Sequence, residues 1–463
     1  MPFDLKSIFY NIPEVKKPVE KKLSFNTKLK WTLAILALFF VLGNISLYGL
    51  STNALVNLEF LQLVLASQFG SIISLGIGPI VMSSIILQLL VGSGILSIDV
   101  KTPEGKKYFQ GLQKVGVFFF IIFEALVYVL MGGLQAVPGY TTILIFQLML
   151  GGLAIVFMDE VVQKYGFGSG VSLFIVANVA GSLFAGLFQF IGPTGENCLF
   201  DFSNTPCSGH VLVILQSFIN GAPTEALASG AIIAATILIF LVVVWAQSLK
   251  VEIPLTYERL RGYGVKWPLA FFYSSNIPVI LAAALVANIT LFGNLIQNWV
   301  GHPTFLGGFS QGTAVSGLAF WIGSTNIIEG IIRGSLQSSF ILQAVIHILF
   351  YATFSAIFAV FWVKTSGMDE TSQAKNILSS GLQIPGFRKD PRVLESILKR
   401  YVLPLTIMGG IAVGLLASTA DLLGALTGGT SILLAVMIIY QLYQSIAQQH
   451  ALDMHPALRK MMG

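Results

Sequence analysis

Two ionisable side chains, Glu124 and His347, lie inside apolar stretches that are long enough to cross a lipid bilayer. A carboxylate or an imidazole at that depth is typical of ion coupling or of a proton relay. Each of the two stands alone in its stretch. The sequence therefore favours a packing hydrogen bond for both residues over transport chemistry.

Other chemistry is poorly represented in the sequence. It has no HExxH for a zinc hydrolase and no GxxxxGK[ST] for a nucleotide phosphate. Its two cysteines, Cys198 and Cys207, are too few for a disulfide framework or a cysteine-built metal site. They fit one disulfide or two unpaired thiols equally well. The sequence thus predicts a protein with no enzymatic activity, no metal and no cofactor.

The composition is that of a polytopic membrane protein. Hydrophobic residues make up 55% of the 463-residue chain, charged residues 10%, and the mean hydropathy is +0.81, whereas about a quarter of the residues of a soluble domain are charged. Residues 1–30 are polar and basic. The first apolar run, 31–50, has no small-residue cleavage pattern behind it, which indicates an anchor instead of a cleaved signal peptide.

Apolar windows predict an all-α protein with ten transmembrane helices and both termini on one side of the membrane. These spans lie near 31–50, 71–90, 115–134, 140–158, 171–191, 229–248, 274–292, 340–363, 402–420 and 429–447. Of the 26 Lys and Arg residues, all except Arg333 then fall on the terminal side, which the positive-inside rule makes cytosolic. Residues 314–332 are also fairly apolar, but counting them as a span would put a basic loop outside.

This topology divides the chain into segments. Residues 1–30 are a cytosolic N-terminal segment, 31–191 a first five-helix half, and 192–228 an external loop. Residues 229–447 form a second half with cytosolic loops at 249–271 and 364–400, and 448–463 are a cytosolic tail. Because each half has an odd number of spans, two related halves must be inverted relative to each other.

The second span, SIISLGIGPIVMSSIILQLL at 71–90, contains helix-breaking residues in its interior, and SNIPV at 275–279 repeats this feature five spans later. Paired interruptions of this kind point to the functional site of a transport protein. The preceding LEFLQLVLASQFG at 58–70 is apolar but too short to cross. It fits a re-entrant helix or a helix lying on the lipid surface.

The block at 71–90 resembles the second-helix signature of the SecY family, the channel-forming alpha subunit of the Sec protein translocon. FMDEVVQKYGFGSGVSLFI at 157–175 resembles a second family signature, and IPEVKKP at 12–18 is similar to the archaeal and eukaryotic branch. The resemblance covers nearly the whole chain. It implies two inverted five-helix halves around a central pore, closed by a short re-entrant plug helix.

The resemblance also implies roles for individual residues of this sequence. The pore would narrow at a ring of aliphatic side chains, namely Ile77, Val81, Val171, Ile175, Ile280 and Leu434. The plug would be about 59–70, with Glu59, Phe60, Leu61, Leu63, Val64, Ala66, Phe69 and Gly70. A hinge would join the plug to the second span at Gly76, Gly78 and Pro79. The lateral gate between the second and seventh spans would involve Gln88, Asn288 and Pro278, with a hydrogen bond helping to hold it shut and Pro278 weakening its helix. Ribosome binding would fall to Arg259, Arg261 and Arg388.

The partners that this family implies are the small translocon subunits of the SecE/gamma and beta types, the ribosome at the cytosolic loops, the nascent polypeptide with its signal sequence, and the lipid bilayer. The implied location is the cell membrane if the source is prokaryotic. A secondary transporter with inverted repeats is the alternative, but such a protein usually needs a polar site with coupling charges at the membrane midplane.

Overall fold

A computed structural model describes residues 13–19, 23–53, 55, 59–99, 102–192, 196–200, 202, 205–257, 264–274, 276–310, 312–379, 382–383 and 391–454. The helices are α1 Phe25–Gly43, α2 Glu59–Val64, α3 Gly78–Gly92, α4 Pro103–Leu130, α5 Thr141–Tyr165, α6 Gly170–Phe188, α7 His210–Asn220, α8 Pro223–Gln247, α9 Ile277–Val300, α10 Gly317–Ile322, α11 Ile327–Ile332, α12 Ser338–Thr365, α13 Glu370–Ser379, α14 Pro391–Leu422 and α15 Gly429–Met454. The strands are β1 Leu50–Asn53, β2 Leu134–Ala136, β3 Lys250–Tyr257, β4 Gly264–Ala270, β5 Gly308–Ser310, β6 Thr313–Ser316 and β7 Leu382–Gln383.

Within the described residues, nine helices are long and apolar enough to cross a membrane: α1, α4, α5, α6, α8, α9, α12, α14 and α15. They coincide with nine of the ten predicted spans. The tenth position belongs to α3, which has only 15 residues and is about 22 Å long at 1.5 Å per residue. The predicted second span is therefore helical over its second part only.

The missing part of this span is residues 71–77, which form consecutive turns. Pro79 lies in the first turn of α3, and Pro278 lies in the first turn of α9. Proline fits that position because the first backbone N–H groups of a helix have no intrahelical partner. The expectation that Pro278 weakens its helix is therefore wrong, since both prolines start helices.

The side of the molecule on which the N-terminal segment lies, here called the N-terminal side, is held by ion pairs. Lys114 pairs with Glu160, and Lys164 pairs with Glu14 at 2.9 Å. The hydrogen bond from Lys164 holds the pKa of the Glu14 carboxyl below its usual value. The hydroxyl of Tyr165 donates to the Lys16 carbonyl. Residues 14–16 are thus fastened across the ends of α4 and α5.

The N-terminal side also carries an unpredicted antiparallel sheet with strand order β4-β3-β7. In it, β3 and β4 form a hairpin that pairs Lys250 with Ala270 and Thr256 with Gly264, while Tyr257 of β3 pairs with Leu382 of β7. The predicted loops 249–271 and 364–400 are therefore joined by backbone hydrogen bonds.

The opposite side carries the longer connections. Residues 314–332 do not cross the membrane, as predicted, because they contain the end of a β5–β6 hairpin and two six-residue helices, α10 and α11. Residues 308–312 match the GxSxG pattern of serine hydrolases, but Ser310 lies in a strand of the hairpin and not at a strand-to-helix turn. The predicted loop 192–228 contains α7, which the sequence did not reveal, and Cys198 is bonded to Cys207. The disulfide alternative is therefore the correct one.

Helices α12 and α14 pack closely along their length, and glycine lets the two backbones approach. A Cβ atom at Gly414 would lie 2.5 Å from the carbonyl oxygen of Tyr351, whereas one at Gly230 on α8 would meet nothing within 4 Å. Small residues at such contacts are the usual means of tight packing between membrane helices.

The variant Gly414→Ala tests this packing. We expect it to lower the melting temperature of the purified protein, because overpacking costs about 1–3 kcal/mol. The matched variant Gly230→Ala should leave the melting temperature unchanged or raise it, since alanine favours helix by about 1 kcal/mol over glycine. Equal melting temperatures for the two variants would contradict the assignment.

Candidate pore and plug

The short segment predicted as the plug begins with α2, a helix of six residues that packs between α6 and α9. After α2 the chain turns back on itself, and the N–H of Ile77 donates to the carbonyl of Leu65 at 2.8 Å. Gly76 has φ +53°, and a side chain there would collide with that same carbonyl oxygen. Residues 65–77 thus form a closed loop between α2 and α3 that depends on glycine at position 76.

This loop satisfies much of its own backbone. The N–H of Ser67 bonds to the carbonyl of Gln62 at 2.9 Å, and the hydroxyl of Ser74 accepts from the N–H of Gly70 at 2.9 Å. Two further bonds attach the loop to the end of α1, from Leu47 N–H to Gly70 and from Ile72 N–H to Ile45. Irregular backbone at membrane depth is tolerated only when protein or water satisfies it, and these bonds meet that requirement.

The side chain of Asn178 fastens α2 to α6. The Nδ2 atom of Asn178 donates to the carbonyl of Gln62 at 2.7 Å, and Asn178 is buried. Sequence reasoning missed this residue. An isolated asparagine inside an apolar span was the available signal, since such amides usually bond to a neighbouring helix.

The six predicted ring residues come from α3, α6, α9 and α15 and from the residue before α3. Five of them, Ile77, Val81, Ile175, Ile280 and Leu434, are buried in one continuous apolar cluster, and Val171 packs against it. Leu63, Val64, Ala66 and Phe69 of the plug segment belong to the same cluster. Gly70 is partly buried, and the side chains of Glu59, Phe60 and Leu61 lie outside the described residues. The predicted ring and plug residues therefore belong to the same apolar core.

A cavity of about 1060 Å³ borders the plug segment. Much of its lining is polar, and it includes Gln62, Gln68, Asn178, His210 and Thr427. The lining combines plug residues with residues near the C-terminal ends of α1 and α6, which lie on the side of the molecule opposite the N-terminal side. The plug segment thus borders the polar cavity and also belongs to the apolar cluster, and Leu63 and Phe69 take part in both.

The seam predicted as the lateral gate lies where α3 packs against α9 and α12. The expected hydrogen bond between Gln88 and Asn288 is absent, because neither side-chain carbonyl oxygen has a partner. Asn288 instead donates to the Ala284 carbonyl of its own helix at 2.7 Å. Both side chains are buried, so this seam is closed by packing, and their unused oxygens remain at the helix surfaces.

The two ionisable residues of the spans have different surroundings. His347 makes the expected packing hydrogen bond, from its Nδ1 atom to the Ile322 carbonyl at 2.7 Å. For Glu124 that expectation is wrong, because its carboxyl oxygens are buried without a partner, 3.0 Å from where a Cβ of Gly78 would be. Asp421, which the sequence placed in a loop, is buried and accepts two hydrogen bonds from Thr430 at the start of α15.

Among the described residues, no group of three or more His, Cys, Asp and Glu side chains could hold a metal ion. The predicted ribosome-binding residues Arg259, Arg261 and Arg388 lie outside the described residues. The β4-β3-β7 sheet is described, and it places the two loops that carry them side by side.

Comparisons with known proteins give the family. Residues 71–443 match the family model for SecY, and residues 38–70 match the model for the plug domain of Sec61p. The chain is 41% identical over 460 residues to the protein translocase subunit SecY of Methanococcus vannielii, and the match covers 99% of both chains.

The chain belongs to the SecY family. It superposes on the solved structure of a protein-conducting channel with a TM-score of 0.82 at 38% identity, covering 98% of this chain and 99% of that one. It is similar to Sec61 in the canine ribosome-channel complex from the endoplasmic reticulum, with a TM-score of 0.79, 38% identity and the same coverage. The SecY-family fold, with inverted helical halves around a pore and a plug, is thus confirmed for this multi-pass membrane protein.

The contact between Asn178 and Gln62 predicts a leaky resting state when it is removed. In Asn178→Ala the Gln62 carbonyl keeps its bond from the N–H of Ser67 but loses the one from Asn178. Loss of one such bond costs about 0.5–1.5 kcal/mol, and we expect the plug segment to leave its position more often. Planar-bilayer recordings of the resting protein should then show more open events than the wild type.

Asn44→Ala is the matched control, because Asn44 lines the same cavity but its Nδ2 atom bonds to Phe40 of its own helix. Its recordings should match the wild type. If the recordings of Asn178→Ala also match those of the wild type, this hydrogen bond does not hold the plug.

Proposed function

We propose that this chain is the central subunit of a protein-conducting channel, through which secretory polypeptides cross the membrane and transmembrane segments pass sideways into lipid. The observation that carries the proposal is the plug segment, which borders a polar cavity and belongs to the apolar cluster that contains the predicted ring. Its relatives are a protein translocase subunit and a protein-conducting channel. A channel of this kind moves its substrate without catalysing a covalent reaction.

The proposed seal follows from the chemistry of aliphatic side chains. A narrow ring of Ile, Val and Leu excludes water and ions by dewetting, yet offers a sliding peptide no polar partner to bind. The plug covers this ring at rest. A polypeptide that enters from the N-terminal side displaces it toward the cavity, and Gly76, Gly78 and Pro79 form the hinge of that movement.

Lateral release follows from transfer free energies. A Leu-like residue at the bilayer centre is stabilised by about 0.3–0.6 kcal/mol, so ten of them favour lipid by about 3–6 kcal/mol. An apolar segment in the pore therefore leaves between α3 and α9 once this seam opens. Pro278 lies in the first turn of α9, which forms one side of the seam. The side-chain oxygens of Gln88 and Asn288, which have no hydrogen-bond partner, give the seam polar groups.

The partners follow from the topology and the family. The positive-inside rule places the N-terminal side, and with it both termini, in the cytosol, and the cell membrane is the expected location in a prokaryote. The translating ribosome supplies the driving force there, and Arg259, Arg261 and Arg388 bind RNA phosphates through charge. Small subunits of the SecE/gamma and beta types complete the complex.

The function is tested directly by placing photoreactive side chains at Ile77, Ile280 and Leu434. We expect each to form adducts with a stalled nascent polypeptide, because the peptide must pass the ring. The lipid-facing control Ile237, on α8, should give none. A secondary transporter would give no polypeptide adduct at any of these positions.

The seal is tested with Ile175→Ser combined with Ile280→Ser. We expect a higher ion conductance across planar bilayers, since hydroxyl groups allow water into an apolar constriction. The control combines Ile143→Ser with Ile237→Ser, which makes the same chemical change at two exposed positions on α5 and α8. If both double variants conduct like the wild type, the ring is not the seal.

Ribosome docking is tested with Arg259→Glu, Arg261→Glu and Arg388→Glu in one chain. We expect weaker binding of ribosomes to proteoliposomes and a shallower dependence of that binding on salt, since fewer phosphates are neutralised. The control Lys106→Glu and Lys107→Glu changes two basic residues on α4, away from the sheet. Equal loss of binding in both variants would assign docking to overall charge instead of these loops.

A further inference from the structure

Helix α7 exposes apolar side chains and buries polar ones, which is the reverse of a helix that faces water. Leu215, Phe218 and Ile219 are exposed, and the exposed fraction of Phe218 is 75%. Gln216 and Ser217, between them, are buried. A helix at a water surface shows the opposite arrangement, with its apolar stripe packed against the core and its polar face exposed. The exposed face of α7 is therefore suited to an apolar environment.

The buried amide of Gln216 has a defined role. Its Nε2 atom donates to the carbonyls of Phe202 and Thr205, both at 2.8 Å, and its Oε1 atom accepts from the N–H of Cys207 at 3.1 Å. All three partners belong to the described part of the loop closed by the Cys198–Cys207 disulfide, here called the stapled loop (196–200, 202 and 205–209). Gln216 thus fixes the stapled loop to the protein side of α7.

The stapled loop also presents apolar side chains outward. It is bonded to the end of α6, from Cys198 N–H to Phe190 and from Gly209 N–H to Gln189. Beside the buried Cys198, Leu199 and Phe200 are exposed, and the exposed fraction of Phe200 is 90%. The disulfide therefore holds a phenyl ring and a leucine away from the protein.

These side chains continue a surface that already faces lipid. α7 packs against the membrane-crossing helices α6 and α8. Phe184 and Phe188 are exposed at the end of α6, and Leu227 is exposed at the start of α8. With 11 residues, α7 is about 16 Å long, which is about half the hydrocarbon thickness of a bilayer. Residues 192–229 contain no Lys or Arg, so headgroup attraction is not the basis of this contact.

We propose that α7 and the stapled loop are inserted among the acyl chains of the lipid leaflet on the side opposite the N-terminal segment, with the disulfide holding Phe200 at lipid depth. The connection between the two helical halves is then itself inserted in the membrane. Its ligand is the hydrocarbon part of the bilayer and not a specific headgroup.

The test places the photoreactive amino acid benzoylphenylalanine at Phe200 or Phe218 of the full chain in its native membrane. Phe184 is the lipid-facing control, and Phe174, which is fully buried on the same helix α6, is the control for no lipid access. We expect lipid adducts by mass spectrometry at Phe200, Phe218 and Phe184, and none at Phe174. Adducts to another protein at Phe200 and Phe218, or no adducts there while Phe184 reacts, would overturn the proposal.

A second arm tests the disulfide. In the Cys198→Ala and Cys207→Ala double variant we expect the lipid adduct at Phe200 to be lost and the adduct at Phe218 to remain, because α7 is a helix that does not depend on the bond. Continued reaction at Phe184 shows that the variant is folded. An unchanged lipid adduct at Phe200 would overturn the role given to the disulfide.

Discussion

The structure depends on one constraint, which is that backbone N–H and C=O groups at membrane depth need partners within the protein or in water. Helices meet it automatically, but residues 65–77 are not helical. They meet it through bonds within the loop, such as Ile77 to Leu65, and through bonds to Ile45 and Leu47, which follow α1. A segment with its own hydrogen bonds can leave its seat as a unit, because few of its polar groups are exposed when it moves. The same property lets it close a pore.

The plug region contributes residues both to an apolar cluster and to the lining of a polar cavity. Leu63, Val64 and Phe69 belong to the same apolar cluster as the predicted ring residues. Gln62 and Gln68 line the polar cavity, and Leu63 and Phe69 also contribute to its lining. One short stretch therefore belongs to the apolar core and also borders the polar cavity. Glu124 is buried close to Gly78 without a hydrogen-bond partner. Its burial adds an energetic cost beside the first residue of α3.

The sequence was sufficient where length and apolar composition decide the structure. Nine spans and the shortness of the plug segment followed from them. Composition did not show that 71–77 is non-helical, because turn and helix have the same apolar residues there. It also did not show the pairing of β3 with β7, which joins residues more than a hundred positions apart, or the partner of Asn178. α7 was missed because it is too short for a span and was therefore assigned to a loop.

The sheet on the N-terminal side has a mechanical consequence. Strand β3 follows α8 directly, and β4 is separated from the first turn of α9 by only six residues. Tension on the tip of this hairpin therefore acts at the base of α9, where that helix lines the seam with α3. Because β7 is bonded to the same hairpin, a load on either loop is shared by both. A force applied to either loop is thus passed to the helix that packs against α3.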